Sequence, residues 1–457
     1  MRVSRLADDR RPRRAATALR AMSVAVALFT RDLRVHDNPA LTAAARAADQ
    51  VVPLFVVDEA LVPDRCPPNR AHFLAAALAE LDAALRDRGG ALVVRRGSVI
   101  DEVARVIDET GATSVHLADD VSYYSGKRER ALRERLGGAV HCHTGSVTAT
   151  SAELAPSTGR DHFAVFTPYF RRWIEVHRRS PLPVPRALSV PSVRSDPVPT
   201  GSDLSSGEPS PRLTVGGETS ARALLDDWLD GPIDHYARDN DDLGADATSR
   251  LSAHLHFGCL SPTEVVRRVD TTTEGGLAFA RQLAWRDFHH QVLAARPDAA
   301  WSDYRRRAPL GPADDRAFAD WRDGRTGYPI VDAAMRQLRA EGWLPGRARL
   351  IAASFLTKSL RQDWRLGARH FLHWLVDADL ANNQLNWQWA AGTGTDTRPN
   401  RVLNPVRQAD RYDPDGTYVR RWLPELAHLP GARIHRPWRE NVDPATYPEP
   451  IIDCVGR

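Results

Sequence analysis

Residues Ser180–Pro211 read SPLPVPRALSVPSVRSDPVPTGSDLSSGEPSP, and eight of them are proline. Proline fixes φ and lacks an N–H, so this stretch can enter neither a helix interior nor a central strand. It reads as an extended connector, and the sequence differs in character on its two sides. Upstream, short apolar runs at Val24–Phe29, Val51–Val57, Leu92–Val94 and Val115–Ala118 have strand character, and His141-Cys142-His143 alternates as a strand does. Between the second and third runs, Leu74, Leu78, Leu81 and Leu85 mark one face of a helix that stops at Gly89-Gly90. Repeated βα units predict an α/β domain with a parallel, five-stranded, Rossmann-like sheet. Downstream, RALLDDWL, TEVVRRV, GLAFARQLAWRDFHHQVL, YPIVDAAMRQLRAEGWL and IAASFLTKSLRQDW repeat apolar residues at three and four, which predicts an all-helical second domain. All twelve tryptophans lie at or after Trp173. The expected division is 23–150 for the α/β domain, 151–215 for the connector and 216–457 for the helical domain.

At 457 residues the chain has room for two or three domains and a large core. No run of eighteen apolar residues exists, so no membrane span is expected. The first twenty residues are Arg-rich without an apolar signal core. Met22 directly precedes the first strand, so 1–22 is expected to be a disordered extension or a misassigned start. The four cysteines are scattered with no CxxC pair, and His141 and His143 share a strand face without an evident fourth ligand, so no metal is expected. Reduced-looking cysteines and absent targeting signals point to the cytoplasm. No GxGxxG follows the first strand, so no nicotinamide site is signalled. Net charge is only +4, but Arg281–Glu440 carries 26 Lys/Arg against 18 Asp/Glu, a basic region suited to a phosphate-bearing partner.

Five segments carry more specific information: FTRDLRVHDNPAL (Phe29–Leu41), ATSRLSAHLHFG (Ala247–Gly258), QLAWRDF (Gln282–Phe288), TGYPIVDAAMRQL (Thr326–Leu338) and NNQLNWQWAAGTGTDTRPNRVLNP (Asn382–Pro405). In this order they resemble the photolyase/cryptochrome family, and most of all its class I cyclobutane-dimer photolyases, from about Val24 to Tyr447. The resemblance implies an N-terminal antenna-binding α/β domain, a long connector and a helical FAD domain, the layout already read from the residues. It implies one FAD per chain, functional as the reduced anion. It also implies an antenna pigment, either 8-hydroxydeazaflavin or methenyltetrahydrofolate, with Ala118–Arg130 closer to the deazaflavin type and an empty site as the alternative. The implied partner is UV-damaged DNA, and the chain is expected to be a monomer.

Thr248, Ser249, Arg250, Leu251 and Ser252 place hydroxyls, an Arg and N–H groups at a helix start, a pattern suited to a diphosphate or to a plain N-cap. The family uses this segment on the flavin phosphates with a Tyr twelve residues earlier, where Tyr236 stands. By the same resemblance Asp377 and Asp379 hold the flavin and its ribose, Arg286 and Arg349 add contacts, and Asn383 faces flavin N5. An amide can accept or donate there. Arg349 is the natural partner for Asp377. Asn383 and Trp387 are four apart on one helix face.

Trp387 and Trp364 match the first two members of a tryptophan electron relay, while Gly311 occupies the third position; Trp321, Trp301 or Tyr304 are candidates to replace it. Trp285 and Trp389 match the aromatic walls of the lesion pocket, which suit an extruded base pair. Arg347 and Arg401 match arginines on the flanking phosphates, implying salt-sensitive, sequence-independent affinity. Three pocket positions depart from the pattern: Gln282 replaces a Glu, Gly346 an Asn and Leu350 a Met. Gln282 can still donate a hydrogen bond to a thymine carbonyl but supplies no proton. The expected function is blue-light-driven repair of cyclobutane pyrimidine dimers by an electron from reduced FAD, a carbon–carbon lyase activity. The alternatives are a cryptochrome photoreceptor, favoured by the altered pocket but not by the short sequence after Tyr447, and (6-4) repair, disfavoured by the absent acid His.

Overall fold

The computed structural model describes residues 22–61, 66–149, 154–157, 159–307 and 313–454. Apart from Met22, the expected N-terminal extension lies outside the described residues, as does Gly311. Five parallel strands form the sheet: β1 (Val24–Phe29), β2 (Gln50–Asp58), β3 (Val93–Gly97), β4 (Ser114–Ala118) and β5 (Val140–His143), in the order β3-β2-β1-β4-β5. The helices α1 (Pro39–Ala47), α2 (Pro68–Arg86), α3 (Val99–Thr110) and α4 (Tyr123–Leu136) alternate with them. All six residues of β1 are buried, as a central strand covered on both faces requires. Val24, Val26 and Leu28 pack with Val99, Val103 and Val106 of α3. Ala25, Ala27 and Phe29 belong instead to a cluster that includes Leu78, Leu81 and Leu85 of α2 and continues into Leu255, Phe279 and Phe288 of the helical half. The alternation along β1 therefore joins the two halves through one apolar core.

The proline-rich connector is extended and pinned. The amide of Val51 donates to Ser189 (2.8 Å), that of Leu188 to Arg88 (2.8 Å), and that of Asp196 to Val94 (2.8 Å), forming an antiparallel bridge against edge strand β3. It thus covers a sheet edge that would otherwise offer unpaired backbone groups. Ahead of the proline-rich run, Phe166–Trp173 is helical, because Phe166, Tyr169 and Trp173 recur at three and four and are buried. His141 and His143 do share one face, both rings lying against His116 at 5.0 and 5.2 Å.

The order 3-2-1-4-5 reverses direction between β1 and β4, where ligands settle in open α/β sheets. Here that crevice receives the helical half. After β1, the amide of Leu33 donates to Phe257 (3.2 Å) and Arg34 donates to the Gly258 carbonyl (2.9 Å). Gly258 has φ +69, and a Cβ on it would lie 2.0 Å from the Arg31 carbonyl oxygen, so only glycine permits this approach. No helix among the described residues is long and apolar enough to cross a membrane.

Candidate functional site

Asp379 opens the helix Leu380–Ala391 as its N-cap, with Oδ1 accepting from the Asn382 amide at 2.9 Å. Its Oδ2 faces a cluster drawn from three parts of the chain. Arg31, just beyond β1, donates to it at 2.6 Å, and His290 Nε2 lies 3.3 Å away. Arg31 also pairs with Asp120, just beyond β4 (3.2 Å), and its Nε donates to the His256 carbonyl (3.0 Å). Burial alone would raise the Asp379 carboxyl, but His290 and Arg31 overcome that and hold it well below the usual carboxylate range. Burial also keeps His256 neutral, with its pKa lowered to about 4.

Asp377 sits two residues earlier. Arg349 donates to its Oδ2 at 2.7 Å and is itself fixed by the Leu344 carbonyl (2.8 Å), so the expected pair is present. Asp377 Oδ1 is buried without a partner, and so is Thr248 Oγ1. Arg250 has φ 51 and precedes Leu251, at φ −77 and ψ −6. Its guanidinium is committed to Asp246 (2.7 Å) and Glu341 (3.1 Å) and lies 4.3 Å over the Trp343 ring. Ser249 Oγ accepts from the Leu251 amide (3.4 Å), and Ser252 Oγ accepts from Trp343 Nε1 (3.1 Å). In this segment, then, backbone and hydroxyl groups are better placed than the Arg250 charge to meet a phosphate. Tyr236 is buried edge-on to Trp228 and Phe279. Arg286 donates to the carbonyls of Ser146 and Leu255, tying its helix to the chain beyond β5.

Asn383 is buried, and Nδ2 donates to the Ala368 carbonyl (3.1 Å) and to Gln384 Oε1 (3.0 Å). Gln384 Nε2 in turn donates to the Ala300 carbonyl. Two backbone carbonyls therefore fix the sense of both amides. With both amide hydrogens used, Asn383 can only accept toward a ligand. This narrows the sequence expectation, which left donation open.

One turn on, Trp387 lies buried against the helix Trp364–Trp374. A Cβ on Gly367 would meet its ring at 2.1 Å. Trp364 begins that helix one turn before Gly367. The Trp321 ring lies 6.0 Å from Trp387 at 77°.

Models of two domains match this chain: DNA photolyase over residues 25–187 and the FAD binding domain of DNA photolyase over residues 279–456. The deoxyribodipyrimidine photo-lyase of Streptomyces griseus is 56% identical over 446 residues, covering 95% of this chain and 97% of its own. The chain belongs to the DNA photolyase family.

Solved relatives in this family share the whole fold. A bacterial class III photolyase from Agrobacterium tumefaciens superposes with a TM-score of 0.88 at 32% identity, covering 96% of both chains. A Synechocystis cryptochrome does so at 0.87 and 29%, covering 94% of this chain and 96% of its own. The parallel-sheet domain joined to helices, expected from sequence, is thus the photolyase fold, and FAD is its cofactor. The residues present fit that group: the unpartnered Asp377 Oδ1 and Thr248 Oγ1 are a buried acceptor and hydroxyl of the kind a polar ligand satisfies.

The expected lesion-pocket residues are more open. Gln282, Gly346 and Arg401 are exposed, and Leu350 and Trp389 are half-buried. A Cβ at Gly346 would meet nothing within 4 Å, so the missing side chain leaves real space. Trp285 is stacked on Phe166 (3.7 Å, 4°), which covers one of its faces, and its ring lies 5.5 Å from His289. Arg347 pairs with Asp241 and lies 4.2 Å over the Tyr412 ring, so a phosphate must compete with that carboxylate.

The sequence reading missed Arg31, Asp120, His256, His290 and Gln384. Arg31 and His256 lie inside quoted motifs, but nothing local says that they converge on Asp379 across 348 and 123 residues. Gln384 was hidden because its role is to orient its neighbour.

Proposed function

We propose that this protein splits cyclobutane pyrimidine dimers in DNA under blue light, the deoxyribodipyrimidine photo-lyase activity for which its 56% identical relative is named. One observation carries the reading. Three helices, two of them packed against the third, Leu380–Ala391, each bear both a residue expected at the flavin and a residue expected at the lesion: Arg286 with Trp285 on Glu274–Ala295, Arg349 with Arg347 on Gly346–Ser354, and Asn383 with Trp389 on Leu380–Ala391. Cofactor and lesion are then held by the same rigid elements, at the short separation electron transfer needs.

Bound and reduced, FAD supplies the electron that opens the dimer and takes it back, with no net redox change. This chain's residues do the rest. Asp377 with Arg349, and Asp379 with Arg31 and His290, fix the acids that hold the cofactor. Tyr236, Thr248, Ser249, Arg250, Leu251 and Ser252 form the phosphate-side segment. Asn383 accepts a hydrogen bond at the flavin ring. Trp285 and Trp389 flank an extruded dimer, Gln282 donates to its carbonyl, and Arg347 and Arg401 meet the backbone phosphates. Trp387 and Trp364 carry electrons inward to reduce oxidised cofactor. The α/β domain holds any antenna pigment, and the protein works as a cytoplasmic monomer on UV-damaged DNA.

The reading is tested with chemically reduced protein, anaerobically, on a short single-stranded oligonucleotide bearing one thymine dimer. Return of base absorbance under blue light but not in the dark is the expected result, and it would show that Gln282 and Gly346 are tolerated. No recovery with FAD bound and reduced would favour the cryptochrome reading, for which the open space at Gly346 is the specific support.

A further inference from the structure

We propose that Asp303 is the proton acceptor that ends the tryptophan relay at Trp364, so that the relay here is two tryptophans long and closed by a carboxylate. The inference rests on the reading above that Trp387 and Trp364 carry electrons toward the flavin. The third position of the usual relay holds Gly311, which has no ring to oxidise. An oxidised ring left inside the protein recombines unless something traps it.

Trp321 lies 6.0 Å from Trp387, and Trp364 opens the helix on which the Trp387 ring rests; the N–H partners of these two indoles differ. Trp321 is fully buried and donates to the Ala352 carbonyl at 3.1 Å, a group that cannot take a proton. Trp364 donates to Asp303 Oδ1 at 2.9 Å, and the Asp303 side chain is 22% exposed, so a proton received there can pass to water. The surroundings of Trp364 make the transfer favourable. Arg365 places its guanidinium 4.8 Å over the Trp364 ring and is fixed by Asp303 (2.9 Å), Asp363 (3.1 Å) and the Trp301 carbonyl (2.7 Å). A cation over a neutral indole is attractive. Over an oxidised indole it repels, and that conflict ends when the indole proton leaves.

The step balances as follows. Trp364 gives one electron to oxidised Trp387. Its N–H bond then breaks, and the proton joins Asp303 Oδ1, leaving a neutral indolyl radical and a carboxylic acid that releases its proton to water. An external thiol restores Trp364 by supplying one electron and one proton.

The test is transient absorption of the oxidised, FAD-loaded protein after a laser flash, comparing wild type, Asp303→Asn and Trp364→Phe. Asn keeps an acceptor oxygen for the indole but cannot take its proton. In wild type, an indole radical cation should turn into the neutral radical, with a solvent deuterium isotope effect on that step. In D303N the cation should persist and recombine, and the yield of lasting photoreduced flavin should fall roughly tenfold to a hundredfold. If W364F loses lasting photoreduction but D303N forms the neutral radical at the wild-type rate, Asp303 is not the acceptor and the relay stands. If W364F photoreduces like wild type, the relay reading falls and this proposal with it. A wild-type cation that never deprotonates overturns the proposal without recourse to any variant. Loss of the lasting signal in Trp301→Phe would place the relay's end there and overturn it as well.

Discussion

The side proposed to hold the cofactor and the side proposed to hold the lesion are built in opposite ways. Around Asp379 and Asn383 nearly every polar group is buried and already engaged: Arg31, His290 and Asn382 on one carboxylate, two backbone carbonyls on the Asn383–Gln384 pair. Around Gln282, Gly346 and Arg401 the side chains are exposed. A resident cofactor meets a site whose orientation cost is met by folding. A transient, salt-sensitive partner meets a surface that must remain accessible to duplex DNA.

The contrast predicts where damage is severe. Asp379→Ala strands Arg31 beside Asp120 with its second partner gone, and breaking such a buried pair costs about 3–5 kcal/mol. The expected outcome is a protein that purifies without flavin colour and melts far earlier. A variant that keeps both its colour and its melting temperature would break the comparison.

Acid should act on the same side. Burial lowers both His256 and His289 to about 4, whereas unfolded histidine titrates near 6.5. The unfolded chain therefore binds more protons than the folded one as pH falls from about 6.5 to 4, and stability declines across that window, by up to about 3 kcal/mol per fully buried group. Thermal melts at stepped pH would check this, and His289→Gln should flatten the slope. Unchanged slope in that variant would remove His289 from the account.

Gly367→Ala tests close packing rather than charge. Its Cβ would fall 2.1 Å from Trp387, so the ring must shift, at about 1–3 kcal/mol. Flavin photoreduction in this variant should slow more than flavin binding weakens, as transient absorption and flavin titration would show.

The smallest effects belong to the open side. Arg401→Ala should weaken damaged-DNA binding by about 1 kcal/mol, lower the salt slope by about one, and leave the melting temperature alone. Gly346→Asn meets open space and should leave stability unchanged within about 0.5 kcal/mol while altering dimer affinity. A large loss of stability in either would erase the distinction between the two sides.

What the sequence made legible follows from range. The strands, the α2 helix and the helical half were readable because apolar periodicity is a local signal, and Ser180–Pro211 because proline is one. Asp377 with Arg349 was readable only through the family resemblance, since both residues lie outside the five quoted motifs. The Arg31–Asp379 contact was not, since it depends on how the β1–β4 crevice docks onto a helix start. Neither was the fixed sense of the Asn383 amide, which two backbone carbonyls from elsewhere in the fold decide. The Phe166–Trp173 helix was overlooked because it sits beside the proline-rich run, where breakers dominate the local pattern.

Arg31 emerges from the ribosome 348 residues before Asp379. Their contact has one of the largest sequence separations among the described residues, and closing a loop of that length is entropically costly. Until Asp379 is made, Arg31 has only Asp120, just beyond β4, as a carboxylate partner. A flavin site built on Asp379 therefore closes only once the helix Leu380–Ala391 has been made and docked against the α/β half.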